Sequence, residues 1–447
     1  MISLKEPHHF FLAIALIFGL IFTFLIPPFQ SPDEYNHFYK SWRVSDGAFV
    51  PEKHDTQRLG GEIPESLELI KNQFFYLKDN YNAKTSFHSV KKAALLPLNI
   101  EKKKFVDYPN TAVYAPTSYL PQAFGILIGK LLSLSPLYIL YITRIFNLLA
   151  WILLVYIAIQ KLNIQKWSMV FVAMVPSSLV MAASANSDNI TNGLCFWIVS
   201  IFISSHHFLL IKQTFLCCIV CINKIVFAPL VLLYWINKKS IFYFAVMTLM
   251  AFLSAFVWGK YAQQNIITYE NYDPNYRQGL TMNEGVNPSA QLQYVLQHPF
   301  TFAKIATSGF IRSIPATTVH LFGKFGWEKN YLPTWSIVLL IGGFFITVFS
   351  QPNGLNKKAR IILTIAVILA FMLFCIIMYM IWYPVGSQVL DNFGGRYFFV
   401  FMMIIPLIIG NDLLKYNVSM QLNFSKLILI IGNIITIFCI LNRYYLS

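Results

Sequence analysis

Residues Phe10 to Ile26 form an uninterrupted apolar run, and the chain leaves it through Pro27-Pro28-Phe29-Gln30-Ser31-Pro32-Asp33-Glu34-Tyr35-Asn36-His37. The run is close to the roughly 20 residues that a helix needs to cross a bilayer. No small-residue cleavage site of the A-x-A type follows it, so it reads as a retained first span. The fold must then keep two adjacent carboxylates and a histidine at a membrane edge, where a charge loses hydration and is tolerated only with a partner or a task. With 56% hydrophobic and only 12% charged residues, and a mean hydropathy of +0.56, a soluble globule of 447 residues is excluded. The expected class is an all-α, polytopic integral membrane protein forming a single membrane domain over residues 1–447.

The formal net charge is +15, and where it falls sets the topology. Lys161 and Lys166, Lys212, Lys238 and Lys239, Lys357, Lys358 and Arg360, and Lys415 and Lys426 occupy short loops between apolar runs, which the positive-inside rule assigns to the cytoplasm. Spans are predicted near Phe10 to Ile26, Leu137 to Gln160, Trp167 to Ala183, Ile190 to Ile211, Ile241 to Trp258, Trp335 to Phe349, Ile361 to Trp382, Tyr397 to Leu414 and Leu427 to Leu441. Phe215 to Ile222 and Ile225 to Ile236 are short and separated by Asn223-Lys224, so they read as a broken pair; with both, the total is about eleven spans. The stretch 113–134 contains two prolines and Lys130. Counting it as a span would move Lys161 and Lys166 outside, so it is expected to be re-entrant or interfacial on the outer side.

This topology leaves four outward regions: a first extracytoplasmic loop over 30–112, a turn at 184–189, a second large region over 261–333, and a segment at 383–396. In the first, Leu67, Ile70, Phe74 and Leu77 recur at helical spacing among charged residues, which predicts a helix lying on the membrane. Lys91, Lys92 and Lys102 to Lys104 suit anionic lipid headgroups or a phosphate-bearing lipid. The aromatic residues of the second large region, with Trp327 and Glu328 as acceptor contacts, suit a sugar or a membrane interface. Neither a Walker loop nor a G-x-G-x-x-G run follows a strand pattern, so a soluble nucleotide-binding domain is not indicated. No nucleic-acid partner is expected. The six cysteines show neither metal spacing nor a paired framework.

Several polar residues carry two readings each. Asp33 follows Ser31-Pro32 and is either a helix cap or a reactive carboxylate. His37 falls on the same helical face as Asp33 and Glu34, where it would orient a carboxylate, bind substrate or join a metal. One histidine with two carboxylates does not specify zinc and leaves a divalent cation open. Asn186-Ser187-Asp188 is a common turn sequence as well as a candidate binding turn. Arg396, after Gly394-Gly395 and before Tyr397, offers a planar fork to a phosphate or simply flanks a span. Lys224 interrupts an apolar segment, where a charge needs a partner such as phosphate. Arg144, inside a span, is a candidate partner for one of the acids.

In order along the chain, Asp33-Glu34-x-x-His37, Tyr114-Ala115-Pro116-x-x-Tyr119-x-Pro121 before Arg144-x-x-Asn147, Asn186-Ser187-Asp188, Phe325-Gly326-Trp327 before Pro333, and Gly395-Arg396-Tyr397 resemble the DUF2142 family of bacterial polytopic membrane proteins. That family looks like part of the GT-C glycosyltransferase superfamily, whose members take a sugar from a polyprenyl-phosphate carrier on the outer face. The resemblance implies a GT-C-like enzyme of the bacterial cytoplasmic membrane with its active site outside. It implies a polyprenyl-phosphate-sugar donor, a glycan or lipid-linked acceptor, and a product in a cell-envelope polysaccharide. It points to Asp33 as the catalytic base with Glu34 binding acceptor or tuning the pair, and to Asp188 with Asn186 as either a support behind the reacting groups or an acceptor site. Together with the residue-level reading, the substrate contacts are then His37, Asn186, Asp188, Lys224, Arg396 and Tyr397. Such transfer needs a base for the acceptor hydroxyl and cations for the departing phosphate. A transporter or flippase of lipid-linked glycans, or a polysaccharide polymerase or ligase, would use the same charges and stays open.

Overall fold

A computed structural model of the chain describes residues 4–204, 209–238, 240–279, 283–327, 330–391, 393–411, 413–414 and 417–446; Lys239, Glu328 and Lys415 lie outside them. Apolar runs of this length become helices because lipid offers their backbone groups no other hydrogen-bond partner. Among the described residues, five helices are long and apolar enough to cross a membrane: Pro7–Leu25, Pro136–Lys161, Ile241–Ala262, Lys357–Trp382 and Val418–Tyr444. Five shorter apolar helices accompany them: Asp188–Ile203, Leu210–Asn223, Ile225–Ile236, Thr334–Phe349 and Phe399–Ile409.

The expected nine spans and one broken pair, about eleven in all, thus resolve into long helices and shorter, interrupted ones, and the interruptions have local causes. The run from Trp167 to Ala183 splits into Lys166–Met174 and Pro176–Ala182 at an extended Val175, because Pro176 cannot donate to the preceding turn and disfavours helical backbone before it. The pair around Asn223 is broken as expected: Lys224 is extended, and Ile225–Ile236 continues as a tighter 3-10 helix.

The stretch 113–134 folds into a 3-10 turn, Pro116–Tyr119, and a twelve-residue helix, Leu120–Leu131. That helix is about 18 Å long and too short to cross. It runs back along the first turns of Pro136–Lys161, with Gly125 against Phe146 and Gly129 against Ile139. Lys130 at its end donates to Ser45 and Asp46, both at 2.6 Å. The 26-residue helices Pro136–Lys161 and Lys357–Trp382 extend about 39 Å each. Lys161 and Lys357 therefore lie at the end of the bundle opposite Pro136 and Trp382, and Trp382 shares its cavities with Asp33.

The all-α expectation fails in the first loop. Strands β1 (Glu52–His54), β2 (Arg58–Pro64) and β3 (Lys103–Asp107) form an antiparallel sheet in the order β1-β2-β3. Leu59, Ile63 and Val106 turn into the core, while Gly60 lets the strands close: a Cβ there would lie 1.8 Å from the Val106 carbonyl oxygen. Alternation over such short, glycine-containing strands is a weak sequence signal. The helix Glu65–Phe75 forms at the expected spacing, but protein rather than lipid covers its apolar face. Leu67, Ile70, Phe74 and Leu77 are all buried in the main core. Gln30 and Arg443 hold it there through the carbonyls of Phe74 (3.1 Å) and Leu77 (2.7 Å).

Candidate functional site

The adjacent carboxylates Asp33 and Glu34 point to different surroundings. Asp33 sits just before the helix Glu34–Ser45 with φ +59° and makes no capping bond, so it is not the side-chain cap of that helix. A left-handed backbone is uncommon for a residue with a side chain, although Asp tolerates it better than most. Oδ2 of Asp33 accepts from Nη1 and Nη2 of Arg396, both at 3.0 Å, and Oδ1 accepts from Asn110 at 3.1 Å. Glu34 is fully buried and accepts from Nε and Nη2 of Arg144 at 2.7 Å each, and from the Ala185 amide at 3.1 Å. Arg144 fills its remaining donors with the carbonyls of Thr23, Ile26 and Pro27 at 2.9, 2.9 and 3.1 Å. Glu34 lines neither of the cavities around Asp33, and its expected place beside Asp33 at a reacting centre is corrected to a buried ion pair.

The other expected residues converge on Asp33. Asp188, at the start of Asp188–Ile203, receives Lys224 Nζ at 2.7 Å and faces Arg396 Nε at 3.7 Å. Lys224 reaches it because the helix breaks at that position, and its ammonium also lies 4.7 Å from the centre of the Tyr397 ring. Asn186 shapes the turn by accepting from the Asp188 amide at 2.8 Å. His37 Nδ1 lies 2.9 Å from the Tyr119 hydroxyl and 3.4 Å from Ser187 Oγ. Burial pushes the His37 pKa down to about 4 despite the opposing pull of Asp188 and Asp33, so its ring is neutral at pH 7. Two carboxylates and two cations thus alternate around a neutral imidazole, and their formal charges cancel.

Two cavities meet at this cluster. The larger, about 840 Å³, has a polar end at Asp33, Asp188, Lys224 and Arg396, and apolar walls from Ile225–Phe227, Phe252, Phe256 and Ile377. The smaller, about 400 Å³, is lined by Asn186, His320, Trp327 and Tyr331. Asp33, Arg396, Tyr397, Met378 and Trp382 line both.

The sequence reading assigned no role to Asn110, Tyr114 or Asn223, yet all three line the larger cavity. Among the described residues, Asn110 Oδ1 and Asn223 Nδ2 are buried without a hydrogen-bond partner, which is uncommon for buried polar atoms. Tyr114 belongs to the quoted Tyr-Ala-Pro motif, which was the available signal. Asn110 and Asn223 had none beyond their neighbours. Among the described residues, no three His, Cys, Asp or Glu side chains gather to hold a metal ion, and Asp33 and Asp188 already hold cationic side chains. These described residues do not fit a divalent-cation cage.

No curated protein and no solved structure matches the chain. The family described as "Predicted membrane protein (DUF2142)" matches residues 16–405, a span that holds every residue of the cluster. With its long apolar helices, the chain is an integral multi-pass membrane protein, and it belongs to the DUF2142 family.

Proposed function

We propose that the protein is a GT-C-type glycosyltransferase that uses a polyprenyl-phosphate-linked sugar to modify a cell-envelope glycan. The observation that carries this reading is the meeting of the two cavities at Asp33 and Arg396. One is an apolar groove whose polar end carries Arg396 and Lys224 paired with Asp33 and Asp188; its walls suit an isoprenoid chain, and a phosphate there takes the place of a carboxylate beside the cations. The other is polar and aromatic, which suits an acceptor sugar.

Asp33 is the base rather than Asp188, because it borders both cavities while Asp188 borders only the larger one. The Asp33 carboxylate removes the proton from an acceptor hydroxyl as that oxygen bonds to the anomeric carbon. The bond from that carbon to the phosphate oxygen breaks, its electron pair leaves with the phosphate, and Asp33 returns the proton to water. Arg396 and Lys224 stabilise the departing oxyanion, as fixed cations at the position of developing charge do. A single displacement of this kind inverts the anomeric centre. The lysine-bearing ends at Lys161 and Lys357 favour a cytoplasmic location for that end of the bundle, which turns Asp33 toward the extracytoplasmic side of a bacterial cytoplasmic membrane.

The test is reconstitution of purified protein with a polyprenyl-phosphate monosaccharide and a glycan acceptor. Glycoside product supports the reading. Movement of the lipid across the bilayer without product replaces it with a flippase, and a demand for assembled-chain donors replaces it with a polymerase or ligase.

A further inference from the structure

Arg144 and Asn147 are one turn apart and share a face of the helix Pro136–Lys161. Each grips a different segment of the site. Arg144 ties the carbonyls of Thr23, Ile26 and Pro27 to the carboxylate of Glu34, the residue next to Asp33. Asn147 donates to the carbonyls of Ser184 at 2.6 Å and Asn186 at 3.1 Å, in the turn that ends at Asp188. Glu34 closes the ring by accepting from the Ala185 amide at 3.1 Å. All of these groups are buried.

We infer that Arg144, Asn147 and Glu34 are positioning residues: Arg144 and Asn147 on one helix, with Glu34 held between Arg144 and the Ala185 amide, form a clamp that fixes Asp33 and Asp188 relative to each other across Arg396. None of the three borders the smaller cavity or the polar end of the larger one. The guanidinium is the suitable cation because its planar fork serves a carboxylate and three carbonyls at once, which an ammonium cannot do. The left-handed backbone of Asp33 adds to the need: a strained conformation persists only where its surroundings over-determine it. The consequence for catalysis rests on the glycosyltransferase reading. The geometric role does not.

The test measures both separately on the full chain in detergent or nanodiscs, with Glu34→Gln, Arg144→Lys and the milder, charge-neutral Asn147→Ala, which serves where the first two do not fold. Hydrogen exchange should accelerate about tenfold or more in residues 26–36 and 182–190, while the β1 to β3 strands keep wild-type protection; exchange that is unchanged, or faster everywhere alike, overturns the clamp. In the transfer assay kcat should fall roughly 100-fold, the scale of a small misplacement of reacting groups, with the donor KM within about threefold. A wild-type protein without transfer activity removes the glycosyltransferase reading and leaves the exchange result to decide the clamp. Folded Glu34→Gln protein with wild-type kcat and local exchange contradicts the inference.

Discussion

Asp33 and Glu34 are neighbours in the chain, yet their ion pairs differ in nearly every physical respect. The Glu34–Arg144 pair has no solvent exposure, with both carboxylate oxygens and the arginine donors occupied. The Asp33–Arg396 pair retains 25% and 29% side-chain exposure and borders two cavities. Burial with complete hydrogen bonding makes the first pair rigid and inaccessible. Partial exposure leaves the second able to exchange a protein partner for a ligand, and one residue's left-handed backbone separates the two roles.

The contrast is sharpest in stability. Glu34→Ala leaves a buried guanidinium uncompensated and should cost about 3–5 kcal/mol, whereas Asp33→Asn at the partly exposed pair should cost about 1 kcal/mol or less. Thermal unfolding in a fixed detergent compares them, and equal losses would erase the distinction between scaffold and site. The next largest effect is on binding: Arg396→Ala should weaken polyprenyl-phosphate binding roughly 10- to 100-fold, the scale of a charge-assisted hydrogen bond, as read by equilibrium binding in nanodiscs. An unchanged affinity would place the phosphate elsewhere.

His37 gives a pH-dependent comparison. Its folded pKa of about 4 lies below the ordinary 6.5, so between those values the unfolded chain binds more protons, and its contribution to stability is lost as pH falls through that window. Melting temperatures should drop less steeply on acidification from pH 6.5 to 4.5 in His37→Gln than in wild type; parallel curves would show that His37 is not the titrating group. The smallest effect is expected at the exposed Lys102–Glu65 pair, where Lys102→Ala should change stability by about 1 kcal/mol or less.

Local signals made part of this molecule legible. The helix break at Asn223-Lys224 and the helix over 65–75 follow from apolar run length, charge placement and 3.6-residue spacing. Asp33, Asp188, Lys224 and Arg396 were each conspicuous as charges at apolar edges, and they do come together. The partner of Glu34 was less legible, because Arg144 lies 110 residues away in the chain and either acid suited it. The burial of Leu67 and Ile70 was illegible too: an apolar helical face has the same pattern whether it meets lipid or protein. The sheet was obscured by its short strands and by Gly60-Gly61. Asn110 and Asn223 are ordinary polar residues until tertiary packing leaves one atom of each without a partner among the described residues.

The division of labour between the adjacent acids is tested most directly by assaying transfer from a polyprenyl-phosphate sugar with purified Asp33→Asn protein whose melting temperature matches wild type. The prediction is no detectable glycoside product while lipid-phosphate binding persists. Product formed at the wild-type rate by that folded variant would contradict the assignment of Asp33 as the base.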